Sequence, residues 1–161
     1  MCSSDLFEAA GYDVQTVRLA TPPFHEYIFP EDYVRSVAQM EFMAHSEGFD
    51  YVSLGPASAE QLSDYAPIPT MLANSGNIFL TANLTTATGA LCLPAIKACA
   101  QIIHQTAKLE KDGFANLRFA ALANVGPWAP FFPAAYHRGK SPAFGLALEA
   151  ADLAVSAFQE A

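Results

Sequence analysis

The chain has 161 residues, 52% of them hydrophobic and 15% charged, which is enough apolar material for one packed domain and too much for a disordered chain. Its formal net charge of -8, with Lys and Arg scattered, repels phosphate backbones and anionic headgroups and argues against nucleic-acid and membrane-surface partners. No apolar run reaches the roughly 18 residues of a membrane span, no leader-like segment opens the chain, and Cys2, Cys92 and Cys99 form no even framework or Cys-x-x-Cys pair, so a reducing cytoplasm is expected.

Residues 1–6, Met-Cys-Ser-Ser-Asp-Leu, are what one reading frame of a common sequencing adapter encodes, and they are expected to be a scar outside the fold. Residues 7–161 then form a fragment of a single α/β domain of metagenomic type. Phe7 to Ala10 reads as the last turn of a helix capped by Gly11, with no helix expected before it. Tyr12 to Leu19 alternates with β-branched residues throughout and predicts a strand. Ala20 to Pro30, punctuated by Pro22-Pro23 and Pro30, predicts a loop.

Glu31 and Asp32 oppose the dipole of a helix in which Tyr33, Val37, Met40 and Ala44 recur on one face, and Gly48 ends it. Asp50 to Leu54 predicts a strand running into Gly55-Pro56. Ala57 to Ala73 is helical, with Pro67 and Pro69 allowing two short helices instead of one. Asn77 to Asn83 predicts a strand, followed by a threonine-rich turn from Leu84 to Gly89. A helix from Pro94 to Glu110 carries the stripe Ile96, Cys99, Ala100, Ile103 and Ala107. Asn116 to Ala123 and Phe144 to Leu148 predict two more strands, and Ala150 to Glu160 a last helix. Strands alternating with helices imply an α/β fold, a mainly parallel sheet with flanking helices, open or closing into a barrel.

In such sheets ligands bind beyond the carboxyl ends of the strands. The expected exits carry Arg18 and Thr21, Ser53 and Gly55, Asn83 with Thr85 and Thr86, Asn124, and Glu149. Mostly uncharged donors with one fixed cation suit a small polar or anionic metabolite, with Arg18 making the charge-assisted contact. The same Asn and Thr residues also serve as turn and capping residues. Arg18 shares a face with Val14 and Thr16, so that face is wet or Arg18 is paired with an acid such as Glu149.

The stretch 126–137 is an apolar, proline-braced loop whose Trp128, Phe131 and Phe132 need a core, a partner subunit or a ligand to pack against. It ends on Tyr136, His137 and Arg138. His137 and Tyr136 could handle a proton beneath an aromatic lid, or the loop could be a cap or homo-oligomer contact with His137 solvated. Cys99 falls in the core, and Cys92 near a helix start is an activated thiol or an inert one. His25, His45 and His104 are not brought together by any spacing. No metal site, phosphate loop, nucleotide fingerprint or hydrolase elbow is present, and no cofactor is expected.

The runs Gly11 to Thr21, Val52-Ser53-Leu54-Gly55-Pro56-Ala57, Phe119 to Asn124, Pro130-Phe131-Phe132-Pro133-Ala134-Ala135-Tyr136-His137 and Phe144-Gly145-Leu146 through Asp152-Leu153 resemble the domain of unknown function 711 family. The resemblance spans nearly the whole chain after Leu6. It implies the α/β barrel of pyruvate formate-lyase and its relatives, of which this chain would be about half, with exposed sheet edges and poor solubility in isolation. It does not imply radical chemistry, because no glycyl-radical loop or adjacent cysteine pair is present. It marks Thr16, Arg18, Asn124, Phe131, Phe132, Tyr136 and His137 as motif positions and carries over no catalytic role. Two functions follow: a small-molecule-binding, enzyme-like α/β barrel, or a non-catalytic interaction module built on the aromatic loop.

Overall fold

Four parallel strands carry the fold of residues 3–160, which the computed structural model describes. After helix α1 (Ser3–Ala9) come β1 (Arg18–Pro23), α2 (Tyr33–Ser46), β2 (Tyr51–Ala57), α3 (Ile68–Ala73), β3 (Ile78–Asn83), α4 (Leu93–Thr106), β4 (Phe119–Leu122) and α5 (Ala151–Glu160). The strands lie side by side in chain order, each pair parallel. Parallel neighbours need a crossover, which the helices supply. The fold is therefore α/β, as the alternating pattern implies.

One face of the sheet carries the main core. Val52 and Leu54 of β2, Ile78, Leu80 and Ala82 of β3, and Phe119 of β4 pack with Val37 of α2, Ile68, Met71 and Leu72 of α3, and Ala95, Cys99 and Ile102 of α4. Alternate strand residues point to the other face, which is covered differently. There the loop after β4 returns across the sheet, and a short turn at Phe132–Ala134 contacts β2, β3 and β4. The Phe132 ring meets Phe79 edge-on at 5.3 Å, and Phe79 meets Tyr51 at 5.6 Å. Arg18 caps this stack, its guanidinium carbon 5.2 Å from the Phe132 centroid and 5.8 Å from that of Tyr51.

Several elements depart from the sequence reading. The first strand runs from Arg18 to Pro23, not Tyr12 to Leu19, because its ladder partner begins at Tyr51. Val17 is held by Asp50, which receives its N–H at Oδ2 (2.7 Å) and donates its own N–H to the Val17 carbonyl (2.8 Å). Prolines 22 and 23 are tolerated since β1 is at the edge of the sheet. The Thr21 hydroxyl bridges the irregular register, accepting from Gly55 N–H and reaching the Ser53 carbonyl, each at 3.3 Å. At the chain start, α1 already begins at Ser3, so part of the stretch read as lying outside the fold is helical. Cys2 lies outside the described residues.

The buried stripe of α4 is Ala95, Cys99, Ile102 and Thr106, leaving Ile103 44% exposed. Apolar residues flank Cys99 on both sides, so periodicity admits two stripes one residue apart, and packing against α3 selects between them. Residues 144–148 form no strand: Phe144, Leu146 and Leu148 are exposed, and alternation without a ladder partner does not make a strand. The Ala57 to Ala73 stretch splits into a 3-10 turn at Leu62–Asp64 and α3. Among the described residues, no helix is long and apolar enough to cross a membrane.

Gly55 permits the closest backbone approach. A Cβ there would stand 2.5 Å from the carbonyl carbon and oxygen of Pro22 and the nitrogen of Pro23, all backbone atoms. Gly55→Ala should therefore lower the urea unfolding free energy by about 2 kcal/mol or more, since the strands must separate to admit it. An unchanged midpoint would contradict this close approach. Burial pushes the Cys99 thiol up to about 11. A raised folded pKa means that its contribution is complete below the unfolded value of about 9 and is lost as pH rises through 11. Urea midpoints should thus fall across that interval, and less so in Cys99→Ala.

Candidate functional site

A cleft of about 470 Å³ opens beyond the carboxyl ends of the strands. Pro23 enters it from β1, Pro56 and Ser58 from the end of β2, Asn83 and Thr85 from β3, and Asn124 from β4. The remaining wall comes from Thr86 to Gly89, from Val125, Gly126, Tyr136 and Arg138 of the aromatic loop, and from His25 and Glu60. All four exits thus open into one cavity.

The turn after β3 is locked by backbone bonds. Leu84 donates to the Leu122 carbonyl (2.6 Å), Cys92 to Leu84 (2.9 Å) and Thr86 to Ala90 (2.8 Å). Gly89 has φ +85, a conformation that a side chain would strain, and the carbonyl oxygen of the Asn124 side chain stands 3.2 Å from where its Cβ would be. Asn124 itself is left-handed, with φ 53, and its N–H reaches the Thr85 hydroxyl at 3.2 Å. Asn tolerates that conformation where most residues do not. The Tyr65 hydroxyl donates to the Asn83 carbonyl, and burial pushes its pKa up.

Glu60 is the anion of the cleft. Its carboxylate accepts from the Ser58 hydroxyl at 2.6 Å and from the Ala87 N–H at 2.7 Å, and these bonds hold its pKa below the ordinary range. Glu60 therefore stays ionised while it ties the exit of β2 to the threonine turn. Arg138 is the cation, with a loose contact of 3.9 Å to the exposed Glu26. Surface pairs of this kind contribute little, so its guanidinium remains available to a ligand.

The structure divides the sequence candidates. Asn83, Thr85, Asn124 and Tyr136 line the cleft, the Tyr136 hydroxyl bonding the Val125 carbonyl at 3.2 Å. Arg18 and Thr16 do not: with β1 shifted, Arg18 begins its strand, donates to the Thr16 hydroxyl (2.8 Å) and stacks on Tyr51 and Phe132. Phe132 lies on the sheet and Phe131 is 65% exposed. Glu149 accepts from Gln15 at 2.9 Å and does not line the cleft. His137 is occupied otherwise, its N–H on the Thr21 carbonyl, its Nε2 3.0 Å from the Ser141 carbonyl and its ring edge-on to Trp128.

The reading missed His25, Ser58, Glu60 and Arg138, which line the cleft, and Asp64, which faces His25 from behind the lining. His25 follows Pro22-Pro23-Phe24 directly, so a strand extended through the prolines would have placed it at an exit. Buried Asp64 carries no sequence signal. Its Oδ2 lies 3.5 Å from His25 Nδ1. Among the described residues, no group of three or more His, Cys, Asp or Glu is placed to hold a metal.

A family model described as "Uncharacterised ACR (DUF711)" matches residues 2–161. No curated protein and no solved structure matches the chain.

Asn124→Ala should cost about 1–2 kcal/mol for its left-handed backbone, whereas Asn124→Gly should stay close to the parent. Chemical denaturation of both variants measures this, and equal losses would refute the backbone explanation.

Proposed function

We propose, from the premise that this chain belongs to the uncharacterised DUF711 family, that it is an enzyme-like α/β protein binding a small polar or anionic metabolite in the cleft at its strand ends. The observation that carries this reading is convergence: four strand exits contribute to one cavity of about 470 Å³. That volume lies in the range of small-ligand sites, roughly 300–1,000 Å³. Asn83, Thr85, Ser58 and Asn124 offer neutral donors and acceptors, and Arg138 offers one fixed charge. Arg138 takes the anchoring role that the sequence suggests for Arg18, because it is the arginine in the cleft.

Glu60 narrows the ligand further. An ionised carboxylate on the wall repels a polyanion and accepts from hydroxyls. The fitting ligand is a small acid with one or two carboxylates and an adjacent hydroxyl or oxo group. The chain-order sheet, with its helices packed on one face, is compatible with the wall of a larger pyruvate formate-lyase-like barrel. A reducing, cytoplasmic compartment suits the free thiols Cys92 and Cys99.

A thermal-shift panel of pyruvate, L-lactate, L-malate and D-glycerate tests the reading. One acid should stabilise the protein by about 2.7 kcal/mol at a hundredfold excess over its Kd. Arg138→Ala should abolish that shift and Arg18→Ala should preserve it. No shift from any of the four would sink the proposal.

The interaction-module reading draws on Trp128 and Phe131, 54% and 65% exposed on the outer side of the same loop. Sedimentation of the chain and of Phe131→Ser decides it: a monomer in both cases removes this alternative.

A further inference from the structure

We infer that His25 is the proton-transfer group of this cleft and that Asp64 is the residue that positions it. The inference rests on the binding reading above and adds a chemistry to it. His25 belongs to a 3-10 turn, Phe24–Glu26, that leaves β1 directly. Phe24 anchors the turn, being fully buried with its ring edge-on to Tyr33 at 5.6 Å. His25 is thereby held on the cleft wall at the end of the edge strand.

Asp64 is 1% exposed and reaches the same place from the turn before α3. One carboxylate oxygen, Oδ1, accepts from the Gln61 amide at 3.1 Å. The other, Oδ2, faces His25 Nδ1 at 3.5 Å, and both of these buried atoms are without a hydrogen-bond partner. A carboxylate oxygen buried without a donor costs free energy, and so does a buried ring nitrogen. Closing the pair by about half an ångström satisfies both atoms at once. The carboxylate accepts only, so the proton of a neutral His25 belongs on Nδ1. Nε2, on the far side of the ring from Asp64, is then left with its lone pair.

This is the arrangement of a positioned base. In the forward step a ligand O–H, or a C–H beside a carbonyl, gives its proton to Nε2. The electron pair of the broken bond stays on the ligand oxygen or carbon. The imidazolium formed faces the Asp64 charge, and the reverse step returns the proton, so no further reactant is consumed. Other charged or titratable groups are in place around the pair. Tyr33 of α2 stays neutral beside Asp64, its pKa raised by burial and then by that carboxylate. Glu60 and Arg138 stand on the cleft walls, and Glu26 adjoins His25.

The other histidines are not equivalent. His137 is not part of the cleft lining and has Nε2 at the Ser141 carbonyl, and His45 and His104 are exposed on α2 and α4. Among the described residues, His25 is the histidine that lines the cleft.

Two measurements on the intact chain test the inference. Long-range proton–nitrogen NMR at alkaline pH should show neutral His25 protonated on Nδ1, the reverse of the tautomer favoured in water. Asp64→Asn should move it to Nε2 and leave His45 and His104 unchanged. A His25 already protonated on Nε2 in the parent protein overturns the assignment, and that result does not depend on how Asp64→Asn folds. In deuterated buffer, exchange of the pyruvate methyl protons should run about 100-fold above the buffer rate and fall to that rate in His25→Gln. A pyruvate thermal shift without exchange defeats the proton-transfer role and leaves binding standing. Absence of the shift in every panel acid defeats the binding reading instead.

Discussion

The close approach of β1 to β2 at Gly55 sets the geometry on which the cleft depends. Pro22 and Pro23 cannot donate to a ladder, yet the strand continues through them because β1 is an edge strand, its register with β2 is irregular there, and the Thr21 hydroxyl bridges to β2. The backbones then come so near that Gly55 has no room for a Cβ. Two consequences follow from the same contact. The chain leaves β1 at Pro23 and delivers Phe24 and His25 to the strand-end side. The Thr21 carbonyl also stays free to receive the His137 N–H, which fixes the end of the aromatic loop. The Tyr27 hydroxyl, 2.7 Å from Thr21 Oγ1, is pushed up to about 12 by burial and remains a neutral partner there.

The aromatic loop has two sides with different work. Its inner side, Phe132 with Ala134 and Tyr136, closes the second face of the sheet, and the Ser53 hydroxyl fastens it by donating to the Ala135 carbonyl at 3.0 Å. Apolar residues in a loop are thereby explained as a small second core. That core uses Arg18 as an aromatic cap, its guanidinium stacked on Tyr51 and Phe132 and away from the cleft lining. A single arginine could not serve both ends of the strand. Arg138, at the other end of the loop, is the one that meets the cleft.

Much of the fold was legible, and its failures share a cause. Val37 and Ala44 on their helix and Val52, Leu54, Ile78 and Leu80 on their strands carry periodicities that local chemistry decides, and they are buried where the pattern puts them. The strand Tyr12 to Leu19 was misplaced because β-propensity marks residues able to pair, while pairing depends on a neighbour that starts only at Tyr51. Residues 144–148 alternate as well and pair with nothing described. The site divides in the same way. Asn83, Thr85 and Asn124 stand at or just past the ends of β3 and β4, which the sequence places to within a residue, so their position on the cleft wall was legible. His25 was hidden by one misread end, and Asp64 by a burial that no spacing announces.

His137 shows why residue type alone could not choose the acid–base group. Trp128 sits at φ 69, an unfavourable conformation for a bulky residue, and needs neighbours that over-determine it. Its N–H bonds the Tyr136 carbonyl at 3.1 Å, and its ring rests against the His137 imidazole at 4.7 Å. Two polar groups of His137 are spent on this clamp: the backbone N–H on Thr21 and Nε2 at Ser141. His137 does not line the cleft, so it is not placed to exchange protons with a ligand bound there. His25 does line the cleft, and its Nδ1 is turned to a buried carboxylate. What a histidine can do is decided by what its two nitrogens face, and that is fixed by tertiary contacts between residues far apart in the chain.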